Sequence, residues 1–192
     1  MSKRSSTWVL VAVAALAFSA AAVFSTWTAS SEPASETGKS RTGLLDQRQL
    51  ALDEPAPDFE LVSVRDERKV IRLSDLRGKA VVVNFYASWC GPCRQELPDF
   101  EIVSHEFSDR VVILAVNAQE SPASALGILR DTGATFPAVL DTNGEVARRY
   151  GVRGMPSTYL LDASGVVRKF GPGALDADTL RTELRTILAN AR

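Results

Sequence analysis

The chain is poor in the residues that usually advertise chemistry. Its 192 residues include 2 cysteines and 1 histidine, and 22 Lys and Arg balance 23 Asp and Glu for a net charge of -1. Two cysteines cannot build the disulfide framework of a small secreted scaffold, and with one histidine they fall short of the Cys/His set of a structural zinc site. There is no long run of one charge sign, and the aromatics, 7% of the chain, are not interleaved with Lys or Arg. That excludes the electrostatic footprint and stacking platform of a nucleic-acid binder. The chain also lacks Gly-x-Gly-x-x-Gly and Gly-x-x-x-x-Gly-Lys runs and any repeat of 20 to 50 residues. No nucleotide, flavin or metal cofactor is expected, and a solenoid is excluded. Chemistry is left to concentrate at Cys90 and Cys93.

What is present divides the chain into three stretches. Lys3 and Arg4 precede an uncharged, largely apolar run over residues 8–27, and the next charge is Glu32. A positive start before an apolar run fits both an uncleaved membrane anchor and a cleaved secretory signal. The length favours the anchor, whereas Ala20 and Ala22 resemble a cleavage site. In either case the cationic end stays in the cytoplasm and the remainder is delivered outside, either tethered to the membrane or released. Residues 1–30 are therefore read as anchor or signal. Residues 31–53, rich in Ser, Thr, Glu, Ala and Gly, read as a tether too polar to fold, and 54–192 as the domain.

The domain alternates strand and helix signals. Residues 59–64 and 70–73 read as a hairpin around a charged turn, followed by a short helical turn at 74–76 that Gly78 ends. Residues 80–86 (Ala-Val-Val-Val-Asn-Phe-Tyr) are nearly all apolar, as a strand buried on both faces should be. Helical spacing follows over 94–107, then a buried strand at 111–116. Ser121, Pro122 and Gly133 punctuate a further helix. A strand at 138–140, a turn at Asn143-Gly144 and a helix at 145–150 come next. A hairpin of 157–162 with 166–170 and a closing helix from Asp176 or Asp178 to about residue 189 complete the pattern. Strands alternating with helices predict an α/β fold, a central mixed β-sheet with helices on both faces.

Cys90-Gly91-Pro92-Cys93 follows the buried strand after three residues and opens the next helix. A cysteine at a helix N-terminus faces unpaired backbone N–H groups and the positive end of the dipole, which favour thiolate over thiol. Cys90 is thus the expected nucleophile. Cys93, one turn further in, is placed to attack a mixed disulfide on Cys90 and release the substrate. Half a zinc site lacks its second ligand pair, and an inert staple over so short a loop would add little stability.

Trp89-Cys90-Gly91-Pro92-Cys93 resembles the thioredoxin active site, and Gly154-Met155-Pro156-Ser157-Thr158 resembles the segment that holds that family's cis-proline. A cis bond is tolerable chiefly before proline. Thioredoxins carry a buried Asp six residues before the first cysteine, where this chain has Asn84. Glu96, three residues after Cys93, instead resembles the active-site glutamate of the membrane-anchored TlpA/ResA type, within the AhpC/TSA-redoxin branch of the thioredoxin superfamily. Pro-Ala-Pro-Asp-Phe at 55–59, Pro98 and an extra helix and strand over 121–141 agree with that type.

The resemblance implies a thioredoxin fold with an N-terminal hairpin and a central helix-strand insert. It also implies an extracytoplasmic thiol-disulfide oxidoreductase that reduces protein disulfides, among them those of apocytochrome c, and draws electrons from a membrane donor. Cys90 attacks, Cys93 resolves and Glu96, its pKa raised by an apolar setting, relays the proton. Trp89, Gly91, Pro92, Met155 and Pro156 shape the substrate surface. Gly91 stands where haem-maturation members frequently have Glu or Pro. That departure bears on the substrate, not on the activity.

Other readings stay open at this level. The alternative for Glu96 is a solvated side chain on the outer face of the helix. Electron flow could run the other way, making the protein an oxidant of secreted proteins, because direction depends on potential and partner. A peptide-binding module with incidental cysteines belongs to a different class. A peroxidase needs Pro and Thr where Val83 and Ala87 stand. His105 and the Arg148, Arg149, Arg153 group read as surface residues, Trp89 chiefly as packing, and Asn84 as a strand amide without a catalytic step.

Overall fold

A computed structural model describes residues 49–190. The apolar run at 8–27 and nearly all of the tether lie outside the described residues. Among those described, no helix is long and apolar enough to cross a membrane.

The strands are β1 (Glu60–Ser63), β2 (Val70–Arg72), β3 (Ala80–Tyr86), β4 (Val111–Ala118), β5 (Ala138–Asp141), β6 (Ser157–Leu161) and β7 (Val167–Pro172). They form one mixed sheet in the order β2-β1-β5-β4-β3-β6-β7. The helices are α1 (Gly91–Glu106), α2 (Pro122–Thr132), α3 (Glu145–Arg149) and α4 (Ala177–Asn190), and a 3-10 turn spans Leu73–Leu76. β3 is buried along its whole length, parallel to β4 on one side and antiparallel to β6 on the other. Its Val-rich run has no solvated face and needs none.

The two faces of β3 build two cores by the period-2 rule. Ala80, Val82 and Tyr86 face Leu97, Phe100 and Val103 of α1, Ile128 and Leu129 of α2, and Leu180 and Leu184 of α4. Val81, Val83 and Phe85 face Phe59, Leu73, Val146 of α3, Tyr150 and Tyr159. Helices thus cover both faces, but unequally. Among the described residues, three long helices lie on one side, and on the other a single short helix leaves much of the cover to aromatic side chains. Phe59, Phe85, Tyr150 and Tyr159 meet there with ring centroids 5.4 to 6.3 Å apart.

α1 begins at Gly91, as expected of a helix opened by the Cys90–Cys93 segment, with Cys90 as its N-cap and Pro92 in its first turn. Two strand boundaries differ from the sequence expectation, each for a pairing reason. β4 runs on to Ala118 because Ala115–Ala118 pair in parallel with β5. β7 continues to Pro172, opposite Ser157. The insert strand β5 also pairs antiparallel with β1 through Val62 to Leu140 and Ser63 to Val139. The insert is therefore what joins the N-terminal hairpin to the sheet.

Candidate active site

Cys90 ends the loop after β3 and caps α1, where its sulfur accepts a hydrogen bond from the Cys93 N–H at 3.1 Å. Gly91 and Pro92 lie between the cysteines, and Pro92 has no N–H to leave unpaired in the first turn. The two sulfurs are joined as a disulfide across a Cα–Cα distance of 5.3 Å. Cys90 is 3% exposed and Cys93 fully buried, so the outer cysteine alone touches the surface. Among the described residues outside α1 itself, nothing lies within 4 Å of where a Gly91 side chain would begin, so the space over Gly91 is open.

Trp89 does not pack: it is 74% exposed. The sequence reading of a mainly packing residue is corrected here. The bend between β3 and α1 turns the indole outward, and a large apolar ring held in solvent beside a redox pair suits a docking surface.

Glu96 is 1% exposed, on the same face of α1 as Cys93 one turn earlier, not on the outer face. Its Oε1 accepts from Asn84 Nδ2 at 2.8 Å and its Oε2 from the Leu175 N–H at 3.1 Å. Burial pushes its pKa up to about 7, against the two hydrogen bonds that favour the carboxylate. A group poised near neutrality inside the core is equipped to take and return a proton.

Asn84 was missed as part of this arrangement. It lies on the α1 face of β3, fully buried, and its Nδ2 also donates to Thr158 Oγ1 at 3.0 Å, while its Oδ1 has no partner among the described residues. Position was the available signal: residues 80, 82, 84 and 86 share one face, and an amide in an apolar strand must find a polar partner across the core.

The Met155–Pro156 bond is cis. Met155 packs against both cores, and with Pro156 it lines a groove of about 340 Å³ shared with Phe170, Pro172 and Gly173. Gln49, at the end of the tether, lines it too. Of the remaining sequence candidates, His105 is exposed and paired with Glu101 at 2.9 Å. Arg148 reaches the Asn143 carbonyl at 2.8 Å, Arg149 the Asp58 carbonyl, and Arg153 lines the groove. Among the described residues no cluster of three His, Cys, Asp or Glu is placed to hold a metal.

Comparison with known proteins agrees with this geometry. The model of the AhpC/TSA family matches residues 52–170. The thiol-disulfide oxidoreductase ResA of Oceanobacillus iheyensis is 34% identical over 145 residues, 74% of this chain and 76% of that protein. ResA of Bacillus subtilis is 36% identical over 133 residues, 69% of this chain and 73% of that one. Among solved structures, a thioredoxin-family thiol:disulfide interchange protein from Chlorobium tepidum matches with TM-score 0.64 and 28% identity, over 72% of this chain and 99% of that one. StoA of Bacillus subtilis matches with TM-score 0.58 and 27% identity, over 68% and 97%. A capped, surface-reaching cysteine, a buried partner and a carboxylate behind them thus sit in a chain that belongs to the AhpC/TSA family of the thioredoxin superfamily, as a thiol-disulfide oxidoreductase of the ResA/DsbE type.

Proposed function

We propose that this oxidoreductase reduces protein disulfides on the outer side of the cytoplasmic membrane, held there by residues 1–30, and that apocytochrome c is a substrate. The observation that carries the reductive chemistry is Cys90 at the N-terminus of α1 with Glu96 buried one turn behind Cys93. In the reduced protein the Cys90 thiolate attacks one sulfur of a substrate disulfide, forming a mixed disulfide and expelling the other substrate sulfur as a thiolate. Cys93 gives its proton to Glu96 and attacks the Cys90 sulfur. The second substrate thiolate leaves, and the Cys90–Cys93 disulfide remains, the electron pair having passed to the substrate. Trp89, Gly91, Pro92, Met155 and Pro156 form the surface against which the substrate chain lies. A membrane protein that carries reductant outward regenerates the dithiol. The cationic start and apolar run support the location, and the resemblance to the TlpA/ResA type supports the substrate.

The deciding experiment equilibrates the full-length protein in detergent against glutathione or dithiothreitol buffers and scores the pair by thiol alkylation. A potential near -270 mV, roughly that of thioredoxin, supports a reductant; one near -120 mV, roughly that of a strong oxidant, reverses the direction of electron flow. For the substrate, an oxidised Cys-x-x-Cys-His peptide of the haem-attachment type is expected to be reduced faster than an oxidised peptide without the histidine. Equal rates would remove the cytochrome assignment and leave the reductase.

A further inference from the structure

Ser88 lies between the end of β3 and Trp89, and it is gripped from two sides, by Glu120 in the loop that leads from β4 into the insert and by Arg94 of α1. Its N–H donates to Glu120 Oε2 at 2.7 Å and its hydroxyl to Glu120 Oε1 at 2.5 Å. Its carbonyl accepts from Arg94 at 3.3 Å, and Arg94 pairs with Asp131 of α2 at 2.9 Å. Glu120 also accepts from Asn117 Nδ2 at 2.7 Å, and Asn117 is fully buried on β4. A buried amide thus fixes the carboxylate, and the carboxylate fixes the loop. Burial pushes the Glu120 pKa up, but the bonds from Ser88 and Asn117 outweigh it and hold the group below the ordinary carboxylate range, so it is an anion at neutral pH. Hydrogen bonds to an ionised acceptor are roughly twice as strong as neutral ones. The Arg94–Asp131 arm is solvent-exposed and weaker.

We propose that Glu120 is a positioning residue of the reductase. By clamping Ser88, Glu120 holds the exposed Trp89 indole and the Cys90 backbone in the geometry that docks a protein disulfide. The proposal rests on the reading of Trp89 and Cys90 as the substrate-facing surface. Its physical basis is selectivity. A small electrophile needs only the Cys90 sulfur, whereas a protein substrate needs the loop around it as well. Without the clamp, the hydrogen bond from Cys90 N–H to the Ala87 carbonyl at 3.2 Å and the exposed Arg94 arm are left to hold the turn. A misplacement of about 1 Å can cost as much as 100-fold in rate.

The test uses the full chain with Trp8→Phe and Trp27→Phe, which leaves Trp89 as the sole indole of the 3. In that background Glu120→Gln is expected to lower kcat/KM for insulin disulfide reduction about tenfold, through KM, with kcat unchanged. Alkylation of reduced Cys90 by iodoacetamide should stay within about twofold, since it needs no docking surface. The steady-state anisotropy of Trp89 should fall as the loop loosens. Ser88→Ala should give a smaller loss, and adding it to Glu120→Gln should cost nothing more, because both act through one contact. Equal losses with insulin and iodoacetamide, additive losses in the double variant, or unchanged insulin kinetics would each overturn the clamp. If Glu120→Gln does not fold, Glu120→Asp decides: it keeps the charge but is one methylene short, so unchanged insulin kinetics and Trp89 anisotropy in it overturn the proposal. If the parent protein reduces no protein disulfide at all, it is the reading of the site that fails. Anisotropy then tests the clamp alone, and no change on Glu120→Gln would refute it.

Discussion

At Glu96, burial and hydrogen bonding pull in opposite directions, and burial wins by enough to move the pKa from 4.5 to about 7. The sign for stability follows. Below about 4.5 the group is protonated whether folded or not, so its burial exacts no penalty for charge. As pH rises from there through about 7, the unfolded chain ionises first and the native state is progressively disfavoured, by a total on the order of 3 kcal/mol. Glu96→Gln should therefore flatten this fall, which urea unfolding of the oxidised protein at about pH 5 and about pH 8 would show. Only an ionised Glu96 can accept the Cys93 proton, so resolution of the mixed disulfide should quicken as pH rises through about 7. Glu96→Gln should lose that limb and slow resolution about 100-fold, read by stopped-flow with a disulfide substrate. Trp89→Ala, by contrast, should leave urea stability within about 0.5 kcal/mol, because so exposed a ring packs against little. It should raise KM for protein disulfides, and an unchanged KM would deny the indole a docking role. At this scale the cysteines were legible in the sequence because their roles depend on neighbours in the chain. The setting of Glu96, by contrast, was not legible, because a glutamate after a cysteine reads the same whether its face of the helix meets core or water.

Among the elements, the helices that carry local punctuation were the most readable. Ser121 caps α2 by accepting from the Ser124 N–H at 3.2 Å, Pro122 fills its first turn, and Gly133 closes it with φ 72°. Replacing Ser121 by Ala removes that acceptor and should cost about 1 kcal/mol without changing the redox potential, as chemical denaturation and thiol titration would establish. The start of α1 is legible for the same reason: its apolar spacing begins only at Leu97, but Cys90 and Pro92 mark the helix end, and the helix starts where Cys90 caps it. Strand ends were less legible. The final residues of β4 and β7 are set by partners, β5 and β6, that lie elsewhere in the chain. Pro98 sits inside α1, and without its N–H the Arg94 carbonyl has no partner four residues on.

For the whole molecule, the decisive feature is a sheet with two unlike cores. Phe100 of α1 is fully buried beneath the active-site helix, in the core that also holds Cys93 and Leu97. Phe100→Ala should destabilise the protein by about 3 to 5 kcal/mol, measured by denaturant unfolding. The sequence by itself determined the order of strands and helices, the mixed α/β class and the redox pair, because strand period, helix caps and a helix-terminal cysteine are properties of residues a few positions apart. Only the tertiary structure decided which polar side chains meet. Asn84 reaches Glu96 across 12 residues, Ser88 reaches Glu120 across 32, and Leu175 reaches Glu96 across 79. Such pairs form because a buried polar group must find a partner wherever the packed sheet and helices bring one within reach, and chain separation does not encode that distance.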